Sequence, residues 1–276
     1  MKNILVPTNF SKNCTKAAQL GIEMAKLYSA EIHFLHLMKT PVDWVKLDKL
    51  KEKRYPETLK QIGIAKAALR ELERTAEREG LTCRTFLQYD AGQADILEHS
   101  NHFHHDFIIT GSSGTKGIIR EITGSNVEEI VRNANAPVIV VKDEDVTFPF
   151  KNIVFVSDFK EDVFHAFEEV ISIAQKCNAR IHLLRINTQT DFNSIDLGLN
   201  PIEQLLRKFP ELKKYSLAVY NEASVETGIN TFIKQNPIDL IAMVTHGKTG
   251  FLSLFSKSIA EGVTNHSTLP VMTIHL

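Results

Sequence analysis

The sequence is short of nearly every pattern that announces a chemistry. Its 276 residues hold three cysteines, Cys14, Cys83 and Cys177, with no Cys-x-x-Cys pair. That excludes a disulfide framework or a thiolate zinc cluster as an organising feature, and a reduced, cytoplasmic setting is expected. No apolar run approaches the roughly 18 residues of a membrane span, and no leader-like segment precedes the first strand. The 32 basic and 33 acidic residues leave a net charge of −1, which removes any global electrostatic case for nucleic acid or anionic lipid. Aromatic and basic residues are not interleaved as in nucleic-acid readers. A Gly-x-x-x-x-Gly-Lys-Ser/Thr loop is absent, and no Gly-x-Gly-x-x-Gly follows the first strand. Ser112 and Ser113 lack the nucleophile-elbow pattern, so no catalytic residue is assigned.

What the sequence does have is one design written twice. Lys2-Asn3-Ile4-Leu5-Val6 returns as Lys151-Asn152-Ile153-Val154-Phe155, and Glu31-Ile32-His33-Phe34-Leu35-His36 returns as Arg180-Ile181-His182-Leu183-Leu184-Arg185. Later, Asp106-Phe107-Ile108-Ile109 matches Asp239-Leu240-Ile241-Ala242, and Ala136-Pro137-Val138-Ile139 matches Leu269-Pro270-Val271-Met272. The offset falls from 149 to 133, so the second copy has lost 16 residues net in its middle. Repeats of this size imply two duplicated domains, 1–143 and 150–276, rather than a solenoid.

Within each copy, short apolar runs alternate with amphipathic segments. In the first, strands are expected at Ile4–Val6, Ile32–Leu37, Thr82–Tyr89, Phe107–Thr110 and Val138–Val141. Ser11 and Asn13 offer caps to a first helix, and a long helix over Asp48–Arg78 is broken or entered near Pro56. The second copy repeats this order, with Pro201 and Pro210 bracketing a brief helix. The alternation predicts α/β domains, each a five-stranded, mainly parallel sheet with helices on both faces. A linker of about ten residues is too short for independent tumbling.

After the fourth strand comes Gly111-Ser112-Ser113-Gly114, and nine residues later Gly124-Ser125. Glycines let backbone amides approach an anion, and a helix start offers free amides and a favourable dipole. The same residues have a purely architectural reading, because glycines close turns and Ser125-x-x-Glu128 is a capping box. In the second copy Val244 and Lys257 stand where the first has Gly111 and Gly124. If Gly111 has positive φ, a β-branched residue there changes the turn.

The spacing Gly-x2-Gly-x9-Gly-Ser, followed by Ala136-Pro137-Val138-Ile139-Val140-Val141, resembles the universal stress protein family. The opening Ile4-Leu5-Val6-Pro7-Thr8-Asn9-Phe10-Ser11 looks like that family's first strand and turn. The chain thus resembles a tandem universal stress protein, which implies two Rossmann-like, or flavodoxin-like, domains packed as an intramolecular pseudo-dimer. The resemblance implies pairing through the last strands, Val138–Val141 and Val271–Ile274. It also implies an ATP site in the first copy, with magnesium as a candidate companion ion. Pro7, Thr8 and Asn9 would line the adenine end, with the backbone of Leu37 bonding the base. Gly111, Gly114, Gly124, Ser125 and the amide of Asn126 would hold ribose and phosphates. The family usually has Asp at the position of Asn9, and an amide loses that charge. The second copy keeps Asp158 and Gly247 but is not expected to bind nucleotide.

Other candidates read as ordinary. His99, His102, His104 and His105 are expected to be solvated at a helix end, without a metal. Lys116, Arg120, Glu121 and the run from Lys49 to Arg54 read as exposed, His246 as either a pocket-facing or a turn-stabilising residue, and Cys14 as a small apolar helix residue. The expectation is an ATP-binding regulatory or interaction protein of the stress response, not a dedicated enzyme. The alternatives are a non-nucleotide interaction module and a slow metal-dependent ATPase. Its partners are expected to be an adenine nucleotide and another protein, neither nucleic acid nor membrane, with further homodimerisation open.

Overall fold

The computed structural model describes residues 1–90, 96–112, 124–142, 146–159, 163–189, 199–245, 263–264 and 267–275. The chain forms two compact units, one reaching Ile130 and the other running onward from Val131. The first holds β1 (Asn3–Pro7), α1 (Lys12–Tyr28), β2 (Glu31–Lys39), α2 (Lys49–Glu52), α3 (Pro56–Arg78), β3 (Cys83–Asp90), α4 (Ile96–His102) and β4 (Phe107–Gly111). It also holds the start of α5 (Gly124–Asn133). Its sheet runs β3-β2-β1-β4, and all its pairings are parallel.

The second unit takes β5 (Val138–Val141), although that strand belongs to the first repeat in sequence. It continues with β6 (Asn152–Val156), α6 (Phe164–Cys177), β7 (Arg180–Asn187), α7 (Asn200–Arg207), β8 (Tyr215–Asn221), α8 (Val225–Gln235), β9 (Leu240–Thr245) and β10 (Val271–His275). The order is β5-β10-β9-β6-β7-β8. Here β5 pairs antiparallel with β10, Val140 opposite Val271 and Val138 opposite Thr273, while the other pairings are parallel. The last strands of the two repeats therefore do pair, which covers two edges at once.

Each element follows from its residues. Ile4, Leu5 and Val6 are fully buried, as a central parallel strand covered on both faces requires. In α1 the buried Ala17, Leu20, Gly21 and Met24 follow helical spacing. Ser11 caps this helix, its hydroxyl accepting from the Cys14 amide at 3.5 Å. Asn13 is not a cap: its Nδ2 donates to the Ser112 carbonyl at 2.8 Å. The long charged segment is broken where Pro56 opens α3, a position where its missing N–H costs nothing. Between β2 and α3, Trp44 packs with Met38 and Ile62 in a small buried cluster of its own.

The repeated aspartates have a concrete job. Asp106 Oδ2 accepts from the amides of Lys2 and Asn3 at 2.5 and 3.0 Å. Asp239 Oδ2 does the same for Lys151 and Asn152 at 2.6 and 2.8 Å. Each carboxylate thus pins the start of a first strand to the approach of the fourth. Asp239→Ala should lower the unfolding free energy in urea by about 1.5–3 kcal/mol, the range for a hydrogen bond to a charged group. Asp239→Asn, which keeps an acceptor oxygen, should recover part of that loss.

Candidate functional site

The carboxyl ends of β1, β2 and β4 open into a pocket, a concave setting of the kind that small-molecule sites use. Pro7, Thr8 and Asn9 come from the end of β1, Leu35 and Leu37 from β2, and Thr110 and Gly111 from β4. Ile96 of α4, Val127 and Ile130 of α5, and Cys14 of α1 complete the lining. None of these side chains is a carboxylate, an imidazole or a cation, and most are apolar. The place is where ligands enter open α/β sheets, beyond the strands' carboxyl ends.

Five of the residues expected at the site, Pro7, Thr8, Asn9, Leu37 and Gly111, are brought together here. Gly124 and the amides of Ser125 and Asn126 stand in the first turn of α5, which also supplies Val127 to the lining. The side chains of Ser125 and Asn126, and Gly114, Lys116, Arg120 and Glu121, lie outside the described residues, as do Gly247, His246 and Lys257 in the second copy. Sequence reasoning missed Ile96, Val127, Ile130 and Cys14. Their signal was present only as the apolar stripes of helices, which do not say what they face.

The turn after β1 is locked by local hydrogen bonds. Asn9 Oδ1 accepts from the Ser11 amide at 3.0 Å, and Thr8 Oγ1 from the Phe10 amide at 3.0 Å. The turn holds Phe10 at a φ of 62°, an outlier for a bulky residue. Its ring lies 4.6 Å from that of His36, whose Nδ1 donates to the Thr8 carbonyl at 2.7 Å. Burial pushes the His36 imidazole below its ordinary range, against the opposing pull of that carbonyl.

Gly111 is a correction. It is not in the left-handed region; a Cβ there would lie 2.4 to 2.5 Å from backbone atoms of Asn13 and Cys14. Glycine is needed because the first turn of α1 sits directly on β4. The second repeat confirms the logic from the other side. Val244 fills the equivalent position, fully buried, and α6 begins at Phe164, whereas the offset of 149 would start it at Glu161. At the same mouth Arg185 and Asp158 stand where the first repeat has His36 and Asn9, only 1% and 3% exposed. Both charged groups are enclosed here, whereas His36 and Asn9 are only half-buried.

The histidines before β4 are a second correction. His99 and His105 are buried, at 3% and 6% exposure, and only His102 and His104 are exposed. Among the described residues no group of three His, Cys, Asp or Glu is arranged to hold a metal ion. Burial and the neighbouring charge of His33 drive both His99 and His105 down to about 4.

Two predictions follow from this geometry. Gly111→Val should destabilise by at least the roughly 1–3 kcal/mol of overpacking, because the clash is with backbone; Val244→Gly should not produce such a clash. For the histidines, the folded values lie below the ordinary 6.5, so the unfolded chain takes up protons first. Stability present above about pH 6.5 should therefore fall toward pH 4, by up to roughly 1.4 kcal/mol per pH unit per group. Urea midpoints measured across that window check it, and His99→Met should flatten the slope.

A model of the universal stress protein family matches residues 1–142 and again 149–275. A universal stress protein of Methanocaldococcus jannaschii is 30% identical over 142 residues, 51% of this chain and 82% of that one. The crystal structure of a universal stress protein from Archaeoglobus fulgidus superposes with a TM-score of 0.72 at 18% identity, covering 99% of this chain and 98% of that one. A putative universal stress protein from Pseudomonas aeruginosa gives 0.66 at 16% identity, over 100% and 93%. The fold agrees along the whole length and the family model matches both repeats: the chain belongs to the universal stress protein family, with the family unit present twice.

Proposed function

We propose that the first unit binds an adenine nucleotide, with ATP as the leading candidate, and that the chain acts as a nucleotide-dependent regulatory or interaction protein. The observation that carries this reading is the pocket at the ends of β1, β2 and β4, whose described lining is uncharged and largely apolar and which the first turn of α5 faces. Its floor suits a planar base: Pro7, Thr8, Asn9 and Leu37 surround that end. The amides at the start of a helix such as α5 suit phosphate. Magnesium would ride on the phosphates, since no described lining side chain offers it a carboxylate.

A second reading has one observation in its favour. Gly111 is required by the packing of α1 whether or not a ligand binds, so that glycine alone does not diagnose a nucleotide site. In this reading the chain is an interaction module that binds no nucleotide.

Thermal unfolding separates the two. ATP at ten times its dissociation constant should stabilise the protein by about 1.4 kcal/mol, seen as a rise of several degrees in the unfolding temperature. Filling the pocket with Ile96→Trp should remove the shift. No shift at millimolar ATP favours the interaction module.

A further inference from the structure

Beneath the pocket, on the face of β2 that carries Leu35 and Leu37, lies His33, two residues further back along the strand's period of two. Its Nε2 is 2.9 Å from Glu31 Oε1 and its Nδ1 is 2.8 Å from His105 Nε2. The other nitrogen of His105, Nδ1, is 3.3 Å from the Ser100 carbonyl in α4. The chain of contacts therefore ends in a carboxylate and a carbonyl. Burial pushes the Glu31 carboxyl up, but the hydrogen bond and charge of His33 and the Arg84 guanidinium 2.6 Å away together hold it below its ordinary range. Glu31 is thus ionised, and both ends of the chain can only accept.

Three hydrogen bonds between two acceptors need three protons, whereas two neutral imidazoles carry two. We propose that the His33–His105 couple holds three ring protons, with His33 a buried imidazolium that clamps α4 to β2 through His105. The extra proton sits on His33 because His105 donates its one proton from Nδ1 to Ser100 and accepts at Nε2. The surroundings are consistent with a single charge. Burial and the His33 charge lower His105, although the Ser100 carbonyl and Asp106 pull the other way; burial, His33 and His102 lower His99. His99 Nδ1 accepts from the Gln88 amide at 2.9 Å and so needs no second proton. Phe86 and Phe103, with ring centroids 5.3 and 5.8 Å from that of His33, close the couple off from water.

The second repeat supplies an internal comparison. His182, at the position of His33, faces Asn152 Oδ1 at 3.3 Å and Ser216 Oγ at 2.7 Å. A hydroxyl can donate, so one ring proton satisfies this site. Arg180 replaces Glu31 and, after burial, lowers His182 further; Ile238 replaces His105. The proton-holding couple is therefore particular to the first repeat. It also touches the pocket's frame, because α4 supplies both Ser100 to the clamp and Ile96 to the lining. Loss of the third proton as pH rises removes one of the three links and loosens α4. The protonation itself does not depend on nucleotide binding.

Ring-nitrogen NMR of the full chain labelled with 15N-histidine tests this, with His33→Gln and His105→Gln used for assignment. His33 should show both ring nitrogens protonated at neutral pH and His182 only one. Glu31→Gln should cost His33 its second proton. Where the extra proton leaves, amide exchange in α4 should accelerate by about tenfold, in keeping with loss of a charge-assisted buried hydrogen bond. A single ring proton on His33 at neutral pH would overturn the proposal, with or without a nucleotide in the pocket. So would two protons that persist in Glu31→Gln.

Discussion

The contact on which the first mouth depends is the seating of α1 on β4. At Gly111 the helix backbone approaches so closely that a single methyl group would lie 2.4 Å from it. That approach brings Cys14 to the pocket wall, lets Asn13 hold the Ser112 carbonyl, and sets the depth of the opening between β1 and β4. Where Val244 stands instead, the approach cannot occur and the helix starts later.

The two repeats also manage buried polarity differently. Both keep the strained turn after the first strand: Phe159 repeats Phe10 at a φ of 57°, and Ser157 Oγ accepts from its amide at 3.0 Å as Thr8 does in the first copy. Beyond that turn they diverge. In the first copy the described lining of the mouth carries no charged side chain, and a histidine layer lies below it. The second has Arg185 and Asp158 at the positions of His36 and Asn9, both deeply buried. The frame, including the Asp106 and Asp239 staples, is kept in both copies while the residues at the mouth differ.

Much of the frame was legible in the sequence because parallel strands covered on both faces read as unbroken apolar runs, as at Ile4–Val6 and Leu240–Val244. Pro56 and Pro201 marked helix starts because their geometry permits little else. The site was less legible, for reasons of distance along the chain. Nothing local says that Gly111 meets Asn13, nearly a hundred residues earlier, or that His99 and His105 are roofed by Phe86 and Phe103. A histidine-rich helix end looks solvated until a strand from elsewhere covers it. Likewise, Ile96, Val127 and Ile130 look like core positions until the pocket between their helices is seen.

The central claim is one open nucleotide site and one filled one in the same chain. Calorimetric titration of the intact protein with ATP tests it most directly, because the stoichiometry counts sites independently of their affinity. The account predicts saturation at one nucleotide per chain, unchanged in Val244→Gly and abolished in Ile96→Trp. Saturation at two would contradict the filled second mouth, and no binding heat at any accessible concentration, with no displacement of a fluorescent ATP analogue, would contradict the open first one.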